Sequence, residues 1–208
     1  MRIRITFSKT PAMRYTGHLD LYRTWERTMR RARLPLAYTQ GFRPHPRINL
    51  ASALPLGFTG AQEVVDIWLE QVLPVEHIEE TLLESSPPGM QILSVESVDA
   101  KAPTLQTQVE ASEFTLTFLD PLPELETRMD EVLSALTLPR ERRGKSYDLR
   151  PLIQGIERLP DDADGHQRLR IRLSAREGAT GRPEELILAL GGEPEAVRVH
   201  RERLIFND

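Results

Sequence analysis

In the first hundred residues, the spacing of apolar residues changes between the two-residue period of strands and the 3.6-residue period of helices. The order of these changes constrains the fold more than any other feature of the sequence. Ile3, Ile5 and Phe7 alternate with polar residues, which predicts a half-buried strand. Apolar residues then recur at helical spacing over 17–33, which predicts an amphipathic helix that Pro35 ends. Further patterns follow over 36–98 in the order strand, strand, helix, strand. The series β-α-β-β-α-β is the split unit of ferredoxin-like folds.

The second half of the chain repeats this series in outline. The strand patterns lie at 113–119, 168–173 and 196–206, the helical patterns at 123–136 and 183–190, and residues 138–159 are irregular with some strand. We therefore predict an α+β protein of two ferredoxin-like units in tandem, with antiparallel sheets and helices on one face. The predicted units cover 1–99 and 110–208, and residues 100–109 read as a linker.

Positive charge is concentrated at the beginning of the chain. Residues 1–50 carry 11 Lys or Arg against 2 Asp or Glu, whereas residues 51–139 carry 2 against 16. The net charge of −4 conceals this segregation. Because composition alone does not sort charges along a chain, the pattern indicates a surface near the N-terminus that binds a polyanion.

The composition excludes several classes of protein. The chain has no cysteine, so it forms no disulfide framework, no thiolate zinc site and no iron–sulfur centre. No apolar run approaches the length of a bilayer span, and the first residues lack the apolar region of a signal peptide. We therefore expect a cytoplasmic protein that has no membrane association and no bound cofactor.

Four arginines share one face of the first predicted helix, because they recur at intervals of three and four residues. They are Arg23, Arg27, Arg30 and Arg31. One interpretation is a surface that contacts phosphate groups, with binding that weakens as salt rises. The other is a solvated face on which Glu26 pairs with Arg30, and the sequence leaves both open.

The segment from Gly41 to Arg47 is the most unusual of the chain. Two prolines preset its backbone and so lower the entropy lost on binding. It offers stacking and charged groups in Phe42, Arg43, His45 and Arg47. We favour a recognition loop. The alternative is a rigid connection in which Phe42 is buried.

A second basic segment lies in the second half. Its candidate residues for a phosphate-facing patch are Arg143, Lys145, Tyr147 and Arg150. The alternative is a flexible loop in which Asp148 pairs with Arg150.

The predicted fold also brings charged residues together across strands. Since the first and third strands of a ferredoxin-like sheet are neighbours, Arg2 and Arg4 are expected to face Asp66 and Glu70 as ion pairs. Trp68 is the one residue of this sheet face suited to stacking on a base.

His18, Asp20 and His45 are the one group of histidines and a carboxylate that the predicted fold could gather. They are the residues to consider for a metal site, or His18 for general acid–base chemistry supported by Tyr22 or Lys9. The simpler interpretation is that Asp20 stabilises the first turn of the helix and His18 caps or packs against it.

Three stretches resemble a known family. They are GHLDLYRTWERTMRRARLPLAYTQGFRPHPRINLASALPLG at 17–57, YDLRPLI at 147–153 and GRPEELILALG at 181–191. They are similar to the bacterial radical-SAM-linked proteins, which occur beside or fused to a radical-SAM protein. The resemblance implies such a partner and an RNA-related setting, and it implies no known reaction. Because this chain lacks cysteine, the iron–sulfur cluster belongs to the partner.

Three hypotheses follow from the sequence. The favoured one is an accessory or adaptor protein, not catalytic by itself, that binds tRNA or rRNA for a radical-SAM partner through the arginine-rich helix and the Gly/Pro loop. The second is a metal-independent endoribonuclease that uses His18, with Asp20 and Tyr22 as further catalytic candidates. The third is a module that binds only proteins.

Overall fold

A computed structural model describes residues 1–142 and 144–207 of the chain. The chain divides into two compact units, Met1–Val109 and Glu110–Asp208. Each unit combines helices with antiparallel strands, so the prediction of an α+β fold is confirmed.

The elements of the first unit follow the predicted order, with one short helix added at the end. They are β1 (Arg2–Lys9), α1 (His18–Arg31), β2 (Ile48–Leu50), β3 (Thr59–Trp68), α2 (Val75–Ser85), β4 (Met90–Val98) and α3 (Leu105–Gln108). The strands lie side by side in the order β2-β3-β1-β4, and each neighbouring pair is antiparallel. Residues 36–39, predicted as the start of a strand, form isolated bridges at Leu36 and Tyr38 instead.

Both long helices of this unit pack on the same face of the sheet. The residues of β1 that alternate inward, Ile3, Ile5 and Phe7, are fully buried, and they form one core cluster with residues of both helices. Trp25 of α1 meets the ring of Phe7 edge to face, with 4.9 Å between ring centroids. Burial of these apolar side chains is the main stabilising contribution in the unit.

Helix α1 ends two residues earlier than predicted. Arg33 has a left-handed backbone with φ of 55°, the conformation that ends many helices. The amide of Leu34 donates to the carbonyl of Met29 over 3.1 Å and closes the last turn. The chain therefore leaves the helix before Pro35.

The part of the other sheet face around Arg2 is covered by the chain that follows β4. Arg2 Nη1 donates to the carbonyl of Ala102 over 2.5 Å, and Leu105 is fully buried. Asn49 Nδ2 donates to Gln106 Oε1 over 2.6 Å. Residues 100–109, predicted as a linker, therefore pack on the first unit, because buried polar groups of the sheet need the backbone carbonyls of this segment.

The second unit adds a hairpin to the predicted order. Its elements are β5 (Val109–Phe118), α4 (Leu125–Ser134), β6 (Pro139–Arg142), β7 (Lys145–Asp148), β8 (Ile153–Leu159), β9 (Arg168–Arg176), β10 (Ala179–Thr180), α5 (Pro183–Ala189) and β11 (Val197–Phe206). In this unit β11, β5 and β9 are successive neighbours, and β8 and β10 pair with successive parts of β9. The region 138–159, predicted as irregular, is the β6–β7 hairpin followed by β8.

No helix among the described residues is both long and apolar enough to cross a membrane.

Candidate functional site

Helix α1 has one face in the core and one face in solvent. Leu21, Trp25 and Met29 are buried, as their spacing predicts for the inner face of an amphipathic helix. On the outer side Arg23, Arg27, Arg30 and Arg31 are all exposed. The predicted basic face therefore exists as an exposed surface.

The four arginines differ in what neutralises them. Arg23 lies 3.3 Å from Asp20, and Arg30 lies 2.7 Å from Glu26. Arg31 Nη1 donates to the carbonyl of Ser85 at the end of α2 over 2.9 Å, so its side chain holds two helices together. Arg27 has no hydrogen bond or ion pair within the part of the chain that the structure describes.

The Gly/Pro segment forms a closed loop with an exposed tip. The amide of Thr39 donates to the carbonyl of His45 over 2.8 Å, and the amide of His45 donates to Thr39 Oγ1 over 3.0 Å. Phe42 is fully exposed and Arg43 is exposed beside it, so the alternative with Phe42 buried is wrong. A fully exposed Phe forgoes the stabilisation that its burial would give, which is unusual for a merely structural residue.

Two hydrogen bonds fix this loop against α1. Tyr22 Oη donates to the carbonyl of Pro46 over 2.8 Å, and Arg30 Nη2 donates to Tyr38 Oη over 3.4 Å. Burial and then the charge of Glu26 raise the pKa of Tyr22, so its hydroxyl stays protonated and serves as this donor. The base of the loop therefore lies along the row of α1 residues next to Arg23 and Arg27.

Arg47 does not belong to the same surface. Its guanidinium lies 4.7 Å from the centre of the Trp68 ring, and that of Arg2 lies 4.9 Å from it. Trp68 is opposite Arg2 in the register, and Ile67 next to it points into the core beneath the helices. Arg47 therefore lies on the side of the sheet away from α1, since neighbouring strand residues face opposite sides. The prediction that grouped Arg47 with the helix arginines is wrong.

On the sheet face that carries Trp68, two arginines are paired with one buried aspartate. Arg2 Nε donates to Asp66 Oδ2, and Arg4 Nε donates to Asp66 Oδ1, each over 2.9 Å. The hydrogen bond and the charge of Asp66 raise the pKa of Arg4 further, against the opposing effect of burial. The predicted ion pairs with Asp66 are therefore confirmed, whereas Glu70 is exposed beyond the end of β3.

The structure does not gather His18, Asp20 and His45 as a metal site. Asp20 is exposed and pairs with Arg23, and His45 is exposed on the loop. Within residues 1–142 and 144–207, only Asp162, Asp164 and His166 place three ligand atoms within 4.8 Å of one another. The metal site was the weaker alternative, and it required a helix terminus and a loop tip to be neighbours, which the sequence could not establish without the direction of the loop.

The second predicted patch is divided between structural and exposed residues. Arg150 Nη2 donates to the carbonyl of Leu133 over 2.7 Å, and its side chain is thereby engaged in the fold. Asp148 accepts from the amide of Arg150 and not from its guanidinium. Lys145 is exposed and Tyr147 is half-buried on the hairpin. Arg143 lies outside the described residues.

Sequence reasoning noted two further arginines near this hairpin without assigning them to one face, and it missed a third. Arg140 and Arg142 stood in a basic run whose pairing was unknown, and their alternation with Glu141 was the signal that could have placed them on one hairpin face. No local sequence pattern marks Arg182, because this residue comes close to the hairpin only in the folded chain.

The comparisons with known proteins identify the family. The family described as "uncharacterized protein conserved in bacteria (DUF2344)" matches residues 2–183. The chain belongs to this family. Its description mentions no radical-SAM protein. No curated protein matches the chain.

Two solved structures resemble the chain at low sequence identity. A chain in the crystal structure of a Cbf5-Nop10-Gar1 complex is 13% identical, with a TM-score of 0.52 over 97% of this chain and 48% of that chain. A chain in the crystal structure of the archaeal box H/ACA sRNP Nop10-Cbf5 complex is 15% identical, with a TM-score of 0.47 over 97% and 47%. The chain thus spans about half the length of the structures it resembles, and the first likeness shows a shared fold alone.

Proposed function

We propose that this chain is an RNA-binding accessory protein that works with a radical-SAM protein in the cytoplasm. The observation that carries the proposal is the exposed surface formed by α1 and the loop fixed to it, on which Arg27 and Arg43 have no ion pair among the described residues. We call it the helix–loop surface, and it contains Arg23, Arg27, Arg30, Phe42, Arg43 and His45.

The residue types of this surface suit a polynucleotide. Arg27 and Arg43 have no ion pair within the described part of the chain, so their guanidinium groups are free for phosphate oxygens. Phe42 is fully exposed beside Arg43 and provides a flat apolar ring for an unpaired base. Cations next to an exposed aromatic ring form the combination that binds single-stranded or looped RNA.

The covered sheet supports the choice of this surface. In many RNA-binding domains with a four-stranded sheet, bases stack on aromatic residues of the open sheet face. Here the corresponding face holds the Arg2–Asp66 pair, and the segment with Ala102 and Pro103 lies over Arg2. A nucleic acid would have to displace this segment to reach the sheet, whereas the helix–loop surface is already exposed.

The proposal also specifies the partner protein and the fold of each unit. The resemblance of residues 17–57 to the radical-SAM-linked proteins supports a radical-SAM partner, which carries the cluster because this chain has no cysteine. We propose that the first unit is ferredoxin-like, since its strand order β2-β3-β1-β4 agrees with that topology. The second unit, with β11, β5, β9 and β8 as successive neighbours, is proposed as its counterpart.

The nuclease hypothesis gains no support from the described residues. The hydroxyl of Tyr22 is used as a donor to Pro46, and Asp20 pairs with Arg23. A cleavage assay in EDTA that compares the protein with the His18→Ala variant addresses this hypothesis directly. Cleavage that disappears in the variant would make His18 catalytic and replace the accessory role proposed here.

The direct test measures RNA binding by the full chain. The double variant R27Q/R43Q removes two unpaired charges from the helix–loop surface, and R176Q/R198Q removes two exposed arginines of the second unit as the matched control. We expect R27Q/R43Q to bind unfractionated tRNA at least about tenfold more weakly, since each arginine makes an independent phosphate interaction. Equal weakening in both variants would show that only net charge matters and would contradict the proposal.

The partner is tested by co-purification of the tagged chain from bacterial cells. We expect a radical-SAM protein to remain bound after ribonuclease treatment. A partner that stays bound while the unchanged protein shows no binding to tRNA would indicate a module that binds only proteins.

A further inference from the structure

One face of the β6–β7 hairpin carries mostly basic side chains. The register places Arg140 opposite Tyr147 and Arg142 opposite Lys145. Directly opposed residues of an antiparallel pair point to the same side, and so do residues two apart along a strand. Arg140, Arg142, Lys145 and Tyr147 therefore project from one face of the hairpin, and Glu141 and Ser146 project from the other.

This face is turned toward the start of α5. Arg140 Nε lies 3.8 Å from Glu185 Oε2. Burial, and next the charge of Glu185, raises the pKa of Tyr147, while nearby arginines oppose this rise. Burial, and next the positive charge of Arg142, lowers the pKa of Arg182. The hairpin face and the residues around the beginning of α5 thus lie within electrostatic reach of one another.

The cations of this region exceed the anions that could neutralise them. Glu185 is the ion-pair partner of Arg140, and the charges of Glu184 and Glu185 partly offset the lowering of the Arg182 pKa. Two carboxylates therefore act on the four cations Arg140, Arg142, Lys145 and Arg182. The side chains of Arg142, Lys145 and Arg182 have no hydrogen bond or ion pair within residues 1–142 and 144–207. We call these three residues with Tyr147 the hairpin basic cluster. Arg182 is half-buried, and a partly desolvated guanidinium beside a second cation is unfavourable until an anion neutralises it.

We infer that the hairpin basic cluster is a second anion site, which binds a phosphate group of a polynucleotide backbone. Guanidinium groups match two phosphate oxygens at once, and the ammonium of Lys145 adds a third positive charge. The ring of Tyr147 stands among these cations and can contact a base or ribose beside the bound phosphate. The site lies in the second unit and does not depend on the helix–loop surface.

The test uses the full chain with the double variant R142Q/R182Q and a labelled single-stranded RNA of 12 nucleotides. R176Q/R198Q is the matched control, because it removes the same charge from exposed positions of the same unit. We expect R142Q/R182Q to lower the slope of log Kd against log salt by about 0.7, the value for the one phosphate that is no longer neutralised. We expect the control to leave the slope within about 0.3 of the unchanged protein.

Pyrophosphate distinguishes a polynucleotide from a free phosphate compound. We expect the RNA to compete with pyrophosphate at this site and to bind more tightly. If R142Q/R182Q abolishes pyrophosphate binding and leaves RNA binding unchanged, the polynucleotide assignment is overturned. An unchanged salt slope, or an equal change in the control, overturns the site itself. The variant R27Q/R43Q reports on the helix–loop surface in the same assay, so failure of one site is distinguishable from failure of the other.

A purely structural role of the arginines is tested by thermal unfolding. Since the side chain of Arg182 has no hydrogen bond or ion pair among the described residues, R182Q is expected to leave the melting temperature unchanged or to raise it. A clear fall would assign Arg182 to the fold and overturn its role in binding. The variant K145Q changes an exposed residue and keeps the RNA assay decisive if R142Q/R182Q does not fold.

Discussion

Arg2 Nε donates a hydrogen bond to Asp66 Oδ2 over 2.9 Å, and both side chains are fully buried in the first unit. Arg4 shares the same carboxylate, and the carbonyls of Ala102 and Pro103 accept the remaining protons of Arg2. Two guanidinium groups thus share one carboxylate on the sheet face away from the helices.

Asp66→Asn is expected to destabilise the protein strongly. The variant leaves the guanidinium of Arg2 buried without a countercharge, which costs about 3–5 kcal/mol for a broken buried pair. Urea unfolding followed by circular dichroism measures the change. Glu157→Gln is the control, because the pair of Glu157 with Arg170 is about half exposed and such pairs contribute about 0–1 kcal/mol. A destabilisation of less than about 1 kcal/mol in Asp66→Asn would show that the site is hydrated in solution.

Glu113→Gln is expected to change how the stability of the second unit depends on pH. The hydrogen bond from Arg203 lowers the pKa of Glu113 below its ordinary value of 4.5, and the charges of Arg203, Arg172 and Arg170 act in the same direction against burial. A carboxyl group whose pKa is lower in the folded than in the unfolded protein stabilises the fold at pH values above the unfolded pKa. This stabilisation is lost as the pH falls through the folded pKa.

The difference in the free energy of unfolding between the protein and Glu113→Gln should therefore be constant above about pH 4.5 and shrink below it. Unfolding curves from pH 7 to pH 3 measure this difference. A difference that grows as the pH falls would mean that the carboxyl group is better accommodated in its protonated form.

The elements of the fold were predictable from sequence because their signals are local. The alternation of Ile3, Ile5 and Phe7 and the helical spacing of Trp25 and Met29 depend only on which face is buried. The Arg4–Asp66 pair could also be predicted, since the expected topology places their strands side by side.

The arrangement of the candidate site was less predictable, because it depends on the direction in which irregular segments leave the sheet. Pro46 accepts a hydrogen bond from Tyr22 of α1, whereas Arg47 next to it lies on Trp68 across the sheet. Nothing in the local sequence separates these two neighbours. Arg182 is similar, since it lies far along the chain from the hairpin that it approaches.

Phe42→Ala is expected to weaken RNA binding without affecting stability. Removal of one stacked base costs about 1–3 kcal/mol, that is roughly 5- to 150-fold in Kd. Because Phe42 is fully exposed, its truncation exposes no new apolar surface and should leave the melting temperature unchanged. Leu136→Ala is the control at an equally exposed apolar position, and Phe42→Trp should restore the affinity. Equal RNA affinity of Phe42→Ala and Phe42→Trp would exclude stacking by this residue.

Arg33→Gly is expected to stabilise the first unit slightly. Arg33 has φ of 55°, where a side chain is strained and glycine is not. Relief of this strain is worth about 1 kcal/mol and is partly offset by the greater freedom of glycine in the unfolded chain. The free energy of unfolding should rise by a few tenths to about 1 kcal/mol, and Arg33→Ala, which keeps the strain, should not show the rise.

Variants of Arg31 and Arg27 are expected to affect stability and tRNA binding separately, although both residues lie on α1. Arg31→Gln removes the hydrogen bond to the carbonyl of Ser85 and should destabilise the protein by about 1 kcal/mol. Arg27→Gln breaks no hydrogen bond or ion pair among the described residues, so the melting temperature should stay unchanged while tRNA binding weakens. Thermal unfolding and tRNA titration of both variants measure the two effects separately. Weaker binding in Arg31→Gln and not in Arg27→Gln would reverse the assignment, because the residue that joins α1 to α2 would then also contact the ligand.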